Sequence, residues 1–192
     1  MAATISIAGG CGRPAESARV LVVAPDASDP RIEATREAVE FWNAELTRLG
    51  IGFRLGPVES AERQSSLAQL RAEQGPLHPF PAEILVVLSN EPINSFARPL
   101  DRATTGPGGK VLIGIRSHEV PPLSLPNVAR NVIAHELGHA LGLGHNARPV
   151  TLMCGVPGSC ESTAFRSESP RFFPLTAEDR EHLARLYSRE SD

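Results

Sequence analysis

The sequence predicts one domain of the α/β class, preceded by a short N-terminal arm. Three runs of apolar residues, 19–24, 83–88 and 111–116, are typical of buried strands. Between the first two runs, apolar residues recur at helical spacing from Ile32 to Leu49. The chain has 192 residues, which is enough for a single domain with a sizeable core. We expect that domain to span residues 18–192, because residues 1–17 have the small, polar composition of a flexible arm.

The first helix has a clear start and end. Asp29 can cap its N-terminus, Pro30 suits the first helical position, and Gly50 can end it. Its apolar side, with the tryptophan as a core residue, comprises Ile32, Val39, Trp42, Leu46 and Leu49. Residues 51–55 then alternate as in a half-exposed strand, residues 59–74 favour a short helix, and residues 75–81 form a loop. Residues 93–99, bracketed by prolines, fit an edge strand.

Two more helices are predicted in the second half of the chain. The first starts near Asn127, after a loop over residues 121–126, and ends at Gly142. Residues 155–174 show little periodicity and are expected to form a long loop. Thr176 can cap the last helix, with Asp179 as its acidic partner three residues on. Three apolar residues would pack that helix on the core, namely Leu183, Leu186 and Tyr187.

The strongest functional signal is the stretch from His135 to His145, which reads HELGHALGLGH. His135 and His139 are four residues apart, so both project from one face of a helix. Two imidazole nitrogens at that spacing can hold one Zn²⁺, and Glu136 can serve as a general base toward a water molecule. Gly142 lets the chain turn back, so that His145 can supply a third ligand. Three protein ligands leave one position open, as in catalytic zinc sites.

The full spacing of this motif is more specific than its first half. A bare His-Glu-x-x-His also occurs in helices whose histidines are ordinary polar groups. With Gly142 and His145 included, the stretch has the form H-E-x-x-H-x-x-G-x-x-H and resembles the metzincin zinc proteases, most closely their matrixin branch. Met153, eight residues after His145, is similar in placement to the Met-turn of metzincins. Residues 175–179 resemble the start of the C-terminal helix of matrixins.

This resemblance implies a particular fold and reaction. A twisted, mostly parallel sheet with one antiparallel edge strand would lie above the active-site helix, and a C-terminal helix would complete a zincin-like domain. The protein would be a zinc endopeptidase with Glu136 as general base and with His135, His139 and His145 as ligands. A protein or peptide substrate would extend along the edge strand. The alternative is a catalytically silent or latent module of the same fold that only holds zinc.

The number of metal ions is predicted from a segment in which this chain differs from vertebrate-type matrixins. Vertebrate-type matrixins hold a second zinc and calcium ions in a histidine- and aspartate-rich segment before the active-site helix, where this chain has only His118. We interpret His78, His118 and His182 as solvated or locally hydrogen-bonded. We therefore predict one zinc ion and no second zinc site, and leave calcium open. The proline–tyrosine wall of the matrixin specificity pocket is replaced by residues 155–157, so no substrate preference is inferred.

Composition excludes several other functions. The formal net charge of −3 is too small to indicate binding to nucleic acid or to an anionic membrane. No stretch approaches the roughly 20 apolar residues of a membrane span. Hydrophobic residues make up 41% and charged residues 21%, which is ordinary for a globular protein. We expect a monomer whose partner is its substrate.

The chain has three cysteines, which bear on its location. Cys154 and Cys160 flank a short Gly-Val-Pro-Gly-Ser turn, and they can either form a disulfide or stay reduced. Cys11 is left over if they pair. It is compatible with a lipid anchor or with the inhibitory cysteine of a matrixin propeptide, although a silent arm is the simpler interpretation. A structural disulfide and the resemblance both favour a secreted, periplasmic or cell-surface protein.

Overall fold

The computed structural model describes residues 17–62, 82–91, 93–100, 109–155, 160 and 170–188. Several expectations fall outside these residues and stay predictions. They concern the N-terminal arm with Cys11, the loop that contains His78, and most of the loop between residues 155 and 174. None of the helices in the described ranges is long and apolar enough to cross a membrane.

Within the described residues, five strands form one sheet. They are β1 (Ser17–Ala24), β2 (Arg54–Glu62), β3 (Ile84–Leu88), β4 (Phe96–Pro99) and β5 (Val111–Ile115). Their spatial order is β2-β1-β3-β5-β4. The pairings of β1 with β2, β1 with β3 and β3 with β5 are parallel, whereas β4 runs antiparallel to β5. The predicted fold class, a mostly parallel sheet with one antiparallel edge strand, is confirmed.

In the described part of the chain, three helices accompany the sheet: α1 (Pro30–Arg48), α2 (Pro126–Ala140) and α3 (Ala177–Ser188). Alternate residues of the central strands share one hydrophobic cluster with α1 and α2, because side chains alternate between the two faces of a strand. Trp42 is fully buried in that cluster, as predicted, and its indole Nε1 donates a hydrogen bond of 2.8 Å to the carbonyl of Ala134. This bond ties α1 to the helix that carries the histidine motif.

The predicted helix ends are observed. Asp29 caps α1 by accepting a 2.9 Å hydrogen bond from the amide of Arg31, and Pro30 occupies the first turn. Gly50 follows the helix with φ +70°, a left-handed conformation that glycine adopts at little cost. At the start of α3, the amide of Thr176 donates to Asp179 and the amide of Asp179 donates to the Thr176 hydroxyl, both at 3.0 Å. This reciprocal pair is a capping box.

The predictions were wrong for the bounds of β2 and for residues 59–62, whereas the helix expected over residues 63–74 stays a prediction. A short helix was expected over residues 59–74, and the strand was expected over 51–55. Instead β2 runs from Arg54 to Glu62 and pairs with β1 as far as Ala24 and Glu62, while residues 63–74 lie outside the described ranges. The register shifts by one residue opposite Gly56 and Pro57. β2 lies at the end of the sheet order and is largely exposed, so its polar residues do not show the apolar pattern of a buried strand.

Candidate metal centre

The histidine motif lies at the C-terminal end of α2. His135 and His139 are one helical turn apart, and α2 ends at Ala140. The amide of Leu143 bonds to the carbonyl of Gly138 at 2.9 Å, and Gly142 has φ +98°. This left-handed residue reverses the chain immediately after the helix, as the sequence predicted, and returns His145 to the first two histidines.

The three histidines converge through their Nε2 atoms. The Nε2–Nε2 distance is 3.1 Å between His135 and His145, and 3.0 Å from His139 to each of the other two. Tetrahedral ligands around Zn²⁺ are separated by about 3.3 Å, given zinc–nitrogen bonds of about 2.0–2.1 Å. These nitrogens therefore have nearly the spacing of zinc ligands. Among the described residues, this is the only group of three metal-ligating side chains close enough to hold one ion.

The protonation state of two rings supports the same interpretation. His135 Nδ1 lies 2.7 Å from the carbonyl oxygen of Leu152, and His139 Nδ1 lies 2.7 Å from that of Leu143. A carbonyl oxygen can only accept, so each ring holds its proton on Nδ1 and presents a lone pair at Nε2. Lone pairs about 3 Å apart repel one another unless a cation lies between them. The donor set thus fits a zinc ion.

Burial shifts the pKa values in the site. The pKa of His135 is lowered to about 4, chiefly by desolvation; the hydrogen bond to the Leu152 carbonyl opposes this shift, and the two neighbouring histidines add to it. Desolvation also lowers the pKa of His139. Both rings are therefore neutral near pH 7, the form that binds metal. Glu136 is buried too, and desolvation raises its pKa to about 7. A carboxyl group with such a pKa can both accept and return a proton near neutrality.

Met153 is fully buried beneath α2, and Gly138 makes room for it. A Cβ atom added at position 138 would lie 2.6 Å from the Met153 sulfur and 2.9 Å from Cζ2 of Trp42. Contacts that short do not occur for real Cβ atoms, so any side chain at this position would displace its neighbours. Sequence reasoning missed the role of Gly138. A glycine in a helix interior was the available signal, because it costs stability there without a packing reason.

The segment after the third histidine folds back on itself. The amide of Asn146 donates to the carbonyl of Met153 at 2.8 Å, and the amide of Gly155 donates to the carbonyl of Asn146 at 3.0 Å. Gly155 lies directly against the His145 ring, where a Cβ atom would overlap the imidazole. The amide of Leu152 also bonds to the carbonyl of Pro174 at 2.9 Å. Residues 143–155 are thereby held as one compact unit beneath the histidines.

The remaining candidate residues are not among the three converging histidines. Cys154 and Cys160 are joined by a disulfide, with their Cα atoms 5.6 Å apart. His118 lies three residues after the C-terminal end of β5, with its Nδ1 3.9 Å from Oδ1 of Asp29. His182 is exposed on α3. Neither histidine contacts the three-histidine cluster.

Comparison with known proteins agrees with this geometry. The Matrixin family model matches residues 116–188, a range that runs from the end of β5 to the end of α3. An archaemetzincin from Methanopyrus kandleri has a similar structure, with a TM-score of 0.54 and 17% identity, covering 93% of this chain and 99% of that chain. Metalloproteinase-II from Bacteroides fragilis is similar with a TM-score of 0.55 and 14% identity, covering 90% of this chain and 53% of that one. A search of curated proteins found no significant match.

The fold and the three-histidine site are therefore similar to those of the metzincin zinc proteases. Within that class, the part of the chain that carries the site matches the Matrixin model.

Proposed function

We propose that this protein is a zinc-dependent endopeptidase in which Glu136 is the general base. The observation that carries the proposal is the convergence of the three Nε2 atoms, together with a buried glutamate directly after the first histidine in the helix. His135, His139 and His145 would hold the ion. When bound at such a site, zinc polarises a carbonyl oxygen and makes a water molecule acidic near pH 7.

Glu136 supplies the proton transfers in this proposal. It would accept a proton from the attacking water and then pass that proton to the leaving amine, so that no covalent enzyme intermediate is needed. Its raised pKa favours both halves of this exchange, and the positive charge of a bound ion would favour its ionised form. A carboxylate in this position is not required merely to hold zinc. Its presence therefore favours an enzyme over the zinc-holding module considered above.

The substrate would be an extended peptide paired with β4. This strand lies at one end of the sheet order found in the described residues, and it packs near α2. A strand at the end of a sheet presents backbone groups to which an extended chain can add as a further strand. The test is cleavage of a peptide library by the purified protein, with that cleavage expected to be largely lost in a Glu136 variant.

One zinc ion per chain is expected after purification and dialysis. The physical reason is the single three-histidine cluster among the described residues, whose neutral rings suit one tetrahedral ion. Elemental analysis should give about one equivalent of zinc, and a His139→Ala variant should give much less. Two equivalents in the dialysed protein, or none after zinc is supplied, would contradict the prediction.

We also propose that the protein works in an oxidising compartment, as a secreted, periplasmic or cell-surface monomer. The Cys154–Cys160 disulfide supports this location, because such bonds rarely persist in a reducing cytosol. Mass spectrometry of non-reduced peptides should show these two cysteines linked when the protein is made in an oxidising compartment. Free thiols at both positions, or a link from Cys11 to either cysteine, would refute the pairing.

A further inference from the structure

Asn146, the residue directly after the third histidine, has an unusually complete set of hydrogen bonds. Its side-chain Oδ1 accepts from the amide of Arg148 and from the hydroxyl of Thr151, both at 3.0 Å. Its Nδ2 donates to Oδ2 of Asp179, also at 3.0 Å. These bonds tie the turn that follows His145 both to itself and to α3. Neither the histidine motif nor the proposed proton transfers account for this residue.

Asp179 gives Asn146 a fixed partner. Its side chain is buried, with 7% of the residue exposed, and the same Oδ2 atom also accepts from the amide of Thr176. The carboxylate is therefore held by the capping box of α3 as well as by Asn146. Hydrogen bonds to an ionised acceptor are stronger than those between neutral groups, and burial shields this one from water.

The backbone of Asn146 links this anchor to the metal centre. It bonds to Met153 through its amide and to Gly155 through its carbonyl. The same unit contains the two carbonyls, of Leu143 and Leu152, that accept from the rings of His139 and His135. A change in the position of this unit would therefore move all three rings. His145 would be most affected, because it is peptide-bonded to Asn146 and lies outside the helix.

We propose that Asn146, anchored by Asp179, is a positioning residue for the metal centre. It acts through the backbone of residues 143–155 and holds the His145 ring where the three Nε2 atoms converge. The inference rests on the zinc site of the proposed function, but it does not depend on catalysis. Residues that orient metal ligands typically change metal affinity by about 10–100-fold when they are removed, and we expect a loss of that size here.

The test measures the zinc dissociation constant by competition with a chromogenic chelator, at a temperature where every variant is folded by circular dichroism. Asn146→Ala should raise the constant by about 10-fold or more, and Asn146→Asp should raise it further, because two carboxylates would then face each other. Asp179→Ala removes the same contact from the other side and should also raise the constant. The double variant Asn146→Ala/Asp179→Ala should raise it no further than the larger of the two single changes, because both remove one contact.

Arg148→Ala is the matched control. Arg148 and Glu178 join the same turn to the same helix through an ion pair of 3.6 Å, but both side chains are 70% exposed. Exposed pairs contribute little, so the zinc dissociation constant should not change. Absorption spectra of the cobalt-substituted proteins give a second measurement, since they report ligand geometry even if a variant is less stable. Asn146→Ala should alter that spectrum, whereas Arg148→Ala should not.

Two results would overturn the inference. One is an unchanged dissociation constant and cobalt spectrum in Asn146→Ala. The other is a double variant in which the effects of Asn146→Ala and Asp179→Ala on the dissociation constant multiply, because the effect of Asn146 would then not pass through Asp179. Neither measurement needs peptide hydrolysis. A protein that binds zinc but cleaves nothing would contradict the proposed function and leave the role of Asn146 to be decided by these affinities.

Discussion

Replacing Glu136 by glutamine is expected to lower peptide hydrolysis by at least about 100-fold. Glutamine has nearly the same shape as glutamate, but its amide cannot accept a proton from the attacking water and deliver it to the leaving amine. The three histidines are unchanged, so zinc should remain bound at about one equivalent. The measurement is the initial rate of cleavage of a peptide identified from a library, together with the zinc content of the same sample.

Glu181→Gln is the control for this variant, because Glu181 is an exposed glutamate on α3, distant in sequence from the histidine motif. It makes the same chemical change and should retain normal hydrolysis. Near-normal turnover by Glu136→Gln would remove Glu136 from its proposed role. If the unmodified, zinc-loaded protein cleaves no peptide at all, the zinc-holding module becomes the better account of the site.

The metal centre could be predicted from the sequence because most of its residues are close together in the chain. His135 and His139 lie one helical turn apart, so helical geometry alone relates their positions, and Gly142 follows three residues later. The structure then brings His145 to them by the turn that Gly142 permits. The buried strands could be predicted for a similar reason. Strands β3 and β5 are buried on both faces, so each is a short run of residues without polar side chains.

Other parts of the site depend on contacts between distant segments, which no local pattern encodes. Gly138 is small because Met153 and Trp42 pack against it from two other elements. The proton positions on His135 and His139 are set by main-chain carbonyls, which carry no sequence signal. Asn146 is equally inconspicuous in the sequence, because its partner Asp179 is 33 residues away.

Replacing Arg31 by methionine is expected to lower the free energy of unfolding by about 3–5 kcal/mol. Arg31 is the clearest stabilising residue that the sequence did not reveal. Its side chain is 1% exposed and its guanidinium binds both oxygens of Asp29, at 2.9 and 2.5 Å. Its Nη1 also donates to the carbonyls of Ser89 and Arg116, at 2.8 and 2.7 Å. The N-terminus of α1 is thus fixed to the ends of β3 and β5.

Stability is lost because removal of the Arg31 guanidinium leaves the Asp29 carboxylate buried without an opposite charge. Methionine fills a similar volume, but the Asp29 carboxylate loses its counter-charge and the carbonyls of Ser89 and Arg116 lose a donor. Chemical denaturation should show this loss, while Arg36→Met, which breaks an exposed pair with Glu33 on the same helix, should change stability by less than about 1 kcal/mol. Asp29→Asn/Arg31→Met keeps a capping side chain but removes the buried charge, so it should recover part of the loss. A single variant as stable as the Arg36 control would show that the buried pair contributes no net stability.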